Sequence, residues 1–99
     1  MYYLNENYRI WYATKDFVSN LRGIQLLVIR PDDSMDGIFQ MEEYRSGNFS
    51  SGCYWYDYVP SGPVGKYLFM VISSPEGIKQ VSSEIFVAKE ALKPVVSFR

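Results

Sequence analysis

The residues that could most directly do chemistry lie between Asp32 and Glu43. Asp32, Ser34 and Asp36 alternate with other residues, Gly37 follows, and Glu43 stands eleven positions after Asp32. This is the core spacing of an EF-hand calcium loop, which binds the ion with short oxygen ligands and a bidentate glutamate. An EF-hand also needs a helix on each side, whereas a strand here would carry Glu43 about 20 Å from Gly37. We therefore predict an aspartate-rich turn that holds no metal, with calcium binding as the alternative.

Side chains for the common kinds of catalysis are scarce. The chain has no histidine and one cysteine, which excludes the usual neutral-pH proton shuttle and any disulfide within the chain. Cys53 has no histidine base to activate it and lies among aromatic residues, so we predict a packing role. Glu42 and Glu43 would point to opposite faces of a strand. These features predict a protein that is not an enzyme and has no cofactor.

Charge and hydropathy narrow the choice of partners. Ten basic and 11 acidic residues give a formal net charge of -1, which offers no electrostatic attraction to nucleic acid or to an anionic membrane. The longest apolar run, Leu26 to Ile29, is far shorter than the roughly 20 residues that cross a bilayer. The first residues lack the basic and apolar regions of a signal peptide. We expect a protein made in the cytoplasm, with neither nucleic acid nor membrane as its partner.

The elements that position these residues are predicted to be strands. Short runs rich in Val, Ile, Tyr, Phe and Trp recur between clusters of Gly, Pro, Asn, Asp and Ser, and none keeps a helical period. Turn signals return every 8–12 residues or so, which is typical of an antiparallel sandwich or barrel. The predicted strands cover residues 7–13, 23–30, 38–44, 52–59, 65–73 and 79–89, with a turn at 31–37 and a loop at 45–51. The 99 residues fit one domain with a short N-terminal arm (1–6) and a C-terminal tail (90–99).

Alternation along these strands predicts which side chains face the core. In 52–59, Tyr54, Tyr56 and Tyr58 share one face, and Trp55 falls on the other. In 7–13, Trp11 is opposite the tyrosines in the same way. Segment 23–30 is apolar on both faces from Leu26 to Ile29, which predicts a central strand covered on both sides. The tyrosines are therefore expected in the core and the two tryptophans on the outside.

Two segments carry a resemblance to a known family. Residues 52–60 run G-x-Y-x-aromatic-x-aromatic-x-P, and Gly65 opens a second G-x-Y. This is similar to a signature of small immunoglobulin-like domains that recur in the virion proteins of tailed bacteriophages, and the likeness spans about residues 7–88. It implies an all-β fold, an immunoglobulin-like antiparallel β-sandwich of about seven strands. In such a fold Gly52 and Gly65 open strands at close bends, and Tyr54 and Tyr67 point inward to bond a loop backbone.

The resemblance also implies a function. It suggests a non-catalytic structural protein of a bacteriophage particle, in the capsid, neck or tail, that docks on symmetric neighbours. Its location would be the virion, and its partners other virion proteins and copies of itself. The aromatic residues that the core does not need are the interface candidates: Tyr2, Tyr3, Trp11, Trp55 and Phe98. The alternative is a carbohydrate-binding or adhesion module that stacks exposed aromatic rings on sugars.

Overall fold

The computed structural model describes residues 2–75 and 79–89, which form two packed β-sheets with no α-helix in this part of the chain. The predicted all-β class is thus confirmed. The C-terminal tail from residue 90 onward, including Phe98, lies outside the described residues. The strands are β1 (Tyr2–Tyr3), β2 (Tyr8–Ala13), β3 (Ile24–Ile29), β4 (Met35–Gln40), β5 (Glu42–Ser46), β6 (Phe49–Tyr58), β7 (Gly65–Ser73) and β8 (Lys79–Ala88).

The two sheets differ in size. The larger has five strands in the order β1-β8-β7-β3-β4, and the smaller has three in the order β2-β6-β5. Neighbouring strands are antiparallel except β1, which runs parallel to β8 with Tyr2 opposite Val87. The Leu4 N–H then donates to the Ala88 carbonyl at 2.9 Å. The segment predicted as an N-terminal arm therefore extends the edge of the chain's own sheet.

The core lies between the sheets and is built by alternation along the strands. The predicted inward tyrosines are there: Tyr54 and Tyr58 are buried, while Tyr56 is half-buried and stacks on Phe39 with ring centroids 4.6 Å apart. Apolar side chains from the five-stranded sheet meet them. The buried apolar members of that group are Ile24, Leu26, Val28, Tyr67, Phe69, Val71 and Val87. This layer of aliphatic and aromatic side chains is the main source of apolar burial in the fold.

The single strand predicted over 38–44 is wrong, because the chain changes sheets in the middle of it. Strand β4 ends at Gln40 in the five-stranded sheet, and β5 begins at Glu42 in the three-stranded sheet. Met41 makes the crossing with its side chain buried and its N–H bonded to the Ile24 carbonyl at 2.9 Å. The crossing therefore leaves no backbone donor unpaired at this buried residue.

Two predicted loops are shorter than expected. The turn over 31–37 ends before β4, so Asp36 and Gly37 belong to a strand. The loop over 45–51 is largely a hairpin, in which Ser46 pairs with Phe49 across a turn at Gly47. Gly47 has a φ of 58°, a conformation that glycine adopts without steric cost. Polar composition marked both segments as loops, but strand pairing accommodates polar side chains where they face solvent.

Strand β3 is central, as predicted, but only one of its faces is covered within the described residues. It pairs with β4 on one side and β7 on the other. Its inner side chains are buried, whereas Leu27 and Ile29 on the outer face are half-buried. The expected second covering layer is therefore not supplied by residues 2–75 or 79–89.

Candidate functional site: an aromatic face

The outer face of the three-stranded sheet carries five side chains that define the candidate site. Arg9 and Trp11 come from β2, Tyr44 from β5, and Trp55 and Asp57 from β6. Strand register places Trp11 directly opposite Trp55 and Arg9 directly opposite Asp57. Alternation explains the grouping, since the tyrosines of the same strands point into the core. We call these five residues the aromatic face.

Trp11 and Tyr44 are the open part of the aromatic face. Their ring centroids lie 5.8 Å apart with an angle of 66° between the planes, an edge-to-face arrangement favoured by the ring quadrupoles. Trp11 exposes 51% of its surface and Tyr44 exposes 43%. Two large rings are thus held against each other by rigid strands while half of each remains open to a partner.

Arg9 covers the second tryptophan of the aromatic face. Its guanidinium carbon lies 4.0 Å from the centroid of the Trp55 ring and 6.0 Å from that of Trp11, which is a cation–π geometry. The guanidinium is fixed by Asp57, because Nε and Nη2 donate to its two carboxylate oxygens at 2.8 and 3.0 Å. These hydrogen bonds raise the pKa of Arg9 and lower that of Asp57. Trp55 is therefore half-buried, with one ring face already occupied.

Tyr54 and Thr14 form hydrogen bonds that hold the loop preceding β3. Tyr54 accepts a hydrogen bond from the Leu21 N–H at 2.9 Å and donates to the Val18 carbonyl at 3.0 Å. Thr14 is buried, accepts from the Val18 N–H at 2.7 Å and lies 3.1 Å from the Gly52 carbonyl. The predicted tyrosine-to-loop bonds are confirmed here and at Tyr67, whose hydroxyl accepts from the Gly62 N–H at 3.1 Å.

Glu43 anchors the same loop with a charged group. Its side chain exposes only 5% of its surface. The carboxylate accepts from the Asn20 and Gly52 N–H groups at 2.9 Å each and pairs with Arg45 at 2.9 Å. Burial raises the pKa of Glu43, but the two backbone donors and Arg45 together outweigh it and leave the pKa below its ordinary value. Glu43 is thus an ionised structural residue behind the aromatic face.

The four residues of the calcium alternative form three separate sets of side-chain contacts. Asp32 accepts from the backbone N–H and hydroxyl of Ser34 at 3.1 and 2.5 Å, which closes an Asx turn. Asp36 pairs with Arg30 and accepts from the Tyr58 hydroxyl at 2.6 Å. Glu43 lies on the other sheet with the contacts just described. Within residues 2–75 and 79–89, no three acidic or cysteine side chains are grouped to hold a metal ion.

The interface candidates divide into two locations. Trp11 and Trp55 are neighbours on the aromatic face, in agreement with the prediction that both side chains point outward. Tyr2 and Tyr3 lie at the β1 edge, where the Tyr2 ring packs 5.0 Å from Tyr8 and the Tyr3 N–H donates to the Tyr8 hydroxyl at 2.7 Å. They therefore do not join the tryptophans, because Tyr8 points to the inner face of β2.

Sequence reasoning missed Arg9 and Tyr44, although the signal for both was present. Arg9 stands two residues before Trp11 and so shares its face. Tyr44 has the same parity as the solvent-facing Ile38, Gln40 and Glu42 in the stretch predicted as one strand. A search along each predicted face for charged and aromatic neighbours would have found them. The lone thiol, Cys53, is half-buried and opposite Ala13.

Comparison of this chain with protein-family models, curated proteins and solved structures found no match. Within the described ranges, no helix is long and apolar enough to span a bilayer. The interpretation of the aromatic face therefore depends on its own geometry and chemistry.

Proposed function

We propose that this chain is a non-catalytic docking module, a structural component of a tailed-bacteriophage particle that binds a neighbouring virion protein through its aromatic face. The observation that carries the proposal is the Trp11–Tyr44 pair. The two rings are half-exposed, held at a fixed angle, and attached to paired strands. A rigid pair of this kind loses little side-chain entropy when a partner covers it.

The composition of the aromatic face favours a protein partner. Tryptophan, tyrosine and arginine are the residue types that most often dominate binding energy at protein interfaces. Here Trp11 and Tyr44 lie beside the Arg9–Asp57 ion pair, which offers one charge of each sign at the rim. Such a mixture suits a partner surface that combines an apolar pocket with polar groups around it.

The glycines and tyrosines of the two G-x-Y segments support the immunoglobulin-like form of the sandwich. Gly52 has a φ of 71° and Gly65 a φ of 136°, and each lies against another chain segment, Phe17 and Pro31 respectively. Tyr54 and Tyr67 follow these glycines by two residues and bond loop backbone groups. The close approaches and the tyrosine contacts are features that the resemblance to phage immunoglobulin-like domains leads one to expect. The expectation that Gly52 opens a strand is wrong, because Gly52 lies within β6, whereas Gly65 does open β7. The virion location is proposed on that resemblance.

A carbohydrate-binding module is the second candidate, and the open Trp11 ring beside polar Arg9 favours it. Sugar rings stack on flat aromatic surfaces, with polar groups at the edge. In this chain the Trp11 and Tyr44 planes are 66° apart, and Arg9 lies over Trp55. A sugar could therefore stack on one ring only, since the two rings do not form an extended flat platform. For this reason we favour protein docking over carbohydrate binding.

A sedimentation experiment tests the proposed function. Tailed-phage particles assembled without this chain would be incubated with purified chain and pelleted, and the bound fraction measured against concentration. We expect wild-type chain to pellet with the particles. Trp11→Ala should weaken binding at least tenfold, since truncating a central aromatic at an interface costs about 2 kcal/mol or more.

The matched control is Phe49→Ala, because Phe49 is an aromatic residue of the same sheet that exposes 67% of its surface outside the aromatic face. It should bind like the wild type. Absence of wild-type binding, or equal binding by the Trp11 variant, would contradict the proposal. A shift of tryptophan fluorescence on a glycan panel, lost in Trp11→Ala, would replace it with the carbohydrate candidate.

A further inference from the structure

The outer face of the five-stranded sheet is largely apolar over β4, β3 and β7, with Gln25 and Gln40 at one end. Strand register places its side chains in rows, and Leu27 lies between Ile38 and Met70 in the central row. Ile29 lies between Met35 and Leu68 in the next row. We call the set the aliphatic face; its members are Leu27, Ile29, Met35, Ile38, Leu68, Met70 and Ile72.

No segment within the described ranges covers the aliphatic face. Ile38 exposes 52% of its surface, and the members from β3 and β7 are half-buried, as expected where only flanking side chains shield them. Strands that are apolar on both faces are typical of sheets packed on both sides. A contiguous exposed apolar patch is often an interaction site.

The shape of the aliphatic face fits another sheet. Three adjacent strands about 4.8 Å apart and three rows of side chains along them give a flat area of about 15 Å by 20 Å. Two sheets of this size pack face to face about 10 Å apart with interdigitated side chains. A flat area of about 300 Å² on each copy is well below the roughly 800 Å² per partner of a standard interface, so such a pair should be weak and should dissociate on dilution.

The charges around the aliphatic face suit a second copy of the same chain. The exposed outer-face residues Lys66 and Glu84 stand on neighbouring strands at one end and carry opposite signs. With a formal net charge of -1 for the whole chain, two copies repel each other weakly. Among the side chains that the structure describes, no cluster of basic groups that would attract an anionic membrane lies around this face.

We infer that the aliphatic face binds a second copy of this chain, sheet against sheet, in a two-fold symmetric dimer. A two-fold interface uses the same patch on both copies, so a nearly neutral apolar patch is self-complementary. The inference goes beyond the proposed function, because the dimer uses the opposite side of the sandwich from the aromatic face. The dimer inference can therefore be wrong while the proposed docking function is right, and the reverse is equally possible.

Sedimentation velocity over a dilution series from about 1 mM to about 1 µM tests the dimer. The wild type should shift from twice the 11.5 kDa chain mass to the single mass as it is diluted. Ile38→Glu should weaken the dimer at least tenfold, because it places a charge within the apolar patch that the second copy would cover. Met35→Glu, at a second exposed position, gives an independent reading if the first variant folds poorly.

Two control variants test whether any loss of the dimer is specific to the aliphatic face. Phe49→Glu makes the same kind of change at an exposed residue of the other sheet, and Trp11→Ala alters the aromatic face; both should dimerise like the wild type. A wild type that stays monomeric at every concentration overturns the inference. So does a dimer that survives both the Ile38 and Met35 variants, or one that Phe49→Glu or Trp11→Ala disrupts equally.

Discussion

The core-facing part of strand β6, from Gly52 to Tyr58, closes the space between the sheets with different chemistry at its two ends. At one end the Tyr54 hydroxyl bonds backbone groups of the loop before β3, and Glu43 accepts two further N–H groups from the chain around it. At the other end the Tyr58 hydroxyl donates to the Asp36 carboxylate, which is also paired with Arg30. The first end binds a loop through its backbone, and the second joins side chains of two sheets.

This difference gives the two ends opposite responses to pH. Backbone donors and Arg45 favour the ionised form of Glu43, so its pKa is below the ordinary value. Burial, the donated hydrogen bond and the Asp36 charge favour the neutral form of Tyr58, so its pKa is above the ordinary value. The loop end is therefore sensitive to acid and the Tyr58 end to alkali. The loop end also supports the hairpin that carries Tyr44 into the aromatic face.

The largest effect should come from Gly52→Ala at the loop end. Gly52 has a φ of 71°, and a Cβ there would overlap the backbone carbonyl of Phe17. Strain in the left-handed region and overlap with backbone add, so we expect unfolding free energy to fall by at least about 3 kcal/mol. Urea denaturation at neutral pH measures the loss.

Gly47→Ala separates the two contributions to that loss. Gly47 has a φ of 58°, but a Cβ there would meet no atom within 4 Å. Its loss should be about 1 kcal/mol, the cost of the backbone conformation alone. Equal losses at the two glycines would show that the close approach of Phe17 contributes nothing, and the loop end would then be no tighter than a surface turn.

Much of the fold could be predicted from the sequence, because the alternation of inward and outward residues along a strand is a local signal. It assigned the faces of β2 and β6 and the inward positions of Tyr54 and Tyr58. It could not show that the chain changes sheets at Met41. The alternation continues in phase from Phe39 through Met41 to Glu43, all facing inward, so the pattern has no break where the sheet changes.

The candidate site was predicted only in part for a related reason. Alternation shows that Trp11 and Trp55 point outward, but strand register decides that they are neighbours. Register between distant segments depends on pairing across the whole sheet. The same limit applies to Glu43. Alternation along its strand predicts which side of the sheet its side chain is on, but its partners Asn20 and Gly52 come from two other parts of the chain and could not be predicted locally.

The second effect in size should come from Tyr58→Phe at the other end. The variant removes a hydrogen bond to a charged carboxylate at 2.6 Å, which is worth about 1.5–3 kcal/mol. Because its pKa is raised above 10.0, Tyr58 contributes fully below that pH and loses its contribution as pH rises. The difference between wild type and variant should therefore be large at neutral pH and shrink in alkali.

Urea denaturation at pH 7 and at about pH 11 measures that change for Tyr58. Burial also raises the pKa of Tyr67, so the variant should keep part of the alkaline loss. Tyr56→Phe, on the same face of β6 and stacked on Phe39, is the control. An alkaline loss that is identical in wild type and Tyr58→Phe would contradict the role given to the Asp36 contact.

Of the three principal variants, Glu43→Gln should have the smallest effect, and it tests the contrast between the two ends from the acid side. Glutamine keeps an acceptor for one backbone donor but loses the charge facing Arg45, so we expect a loss of about 1–2 kcal/mol at pH 7. Since the folded-state pKa of Glu43 is below the ordinary 4.5, its contribution is present above that pH. It disappears as pH falls through the folded value.

The test is urea denaturation of wild type and Glu43→Gln at pH 7 and at about pH 3. The two should differ at pH 7 and converge in acid, the reverse of the alkaline convergence expected for Tyr58. Glu42→Gln is the matched control, because Glu42 is the adjacent residue of the same strand and is exposed on its outer side. If Glu42→Gln changes the acid dependence as much as Glu43→Gln, the effect is one of general surface charge. The acid sensitivity of the loop end would then not arise from the carboxylate bound to Asn20 and Gly52.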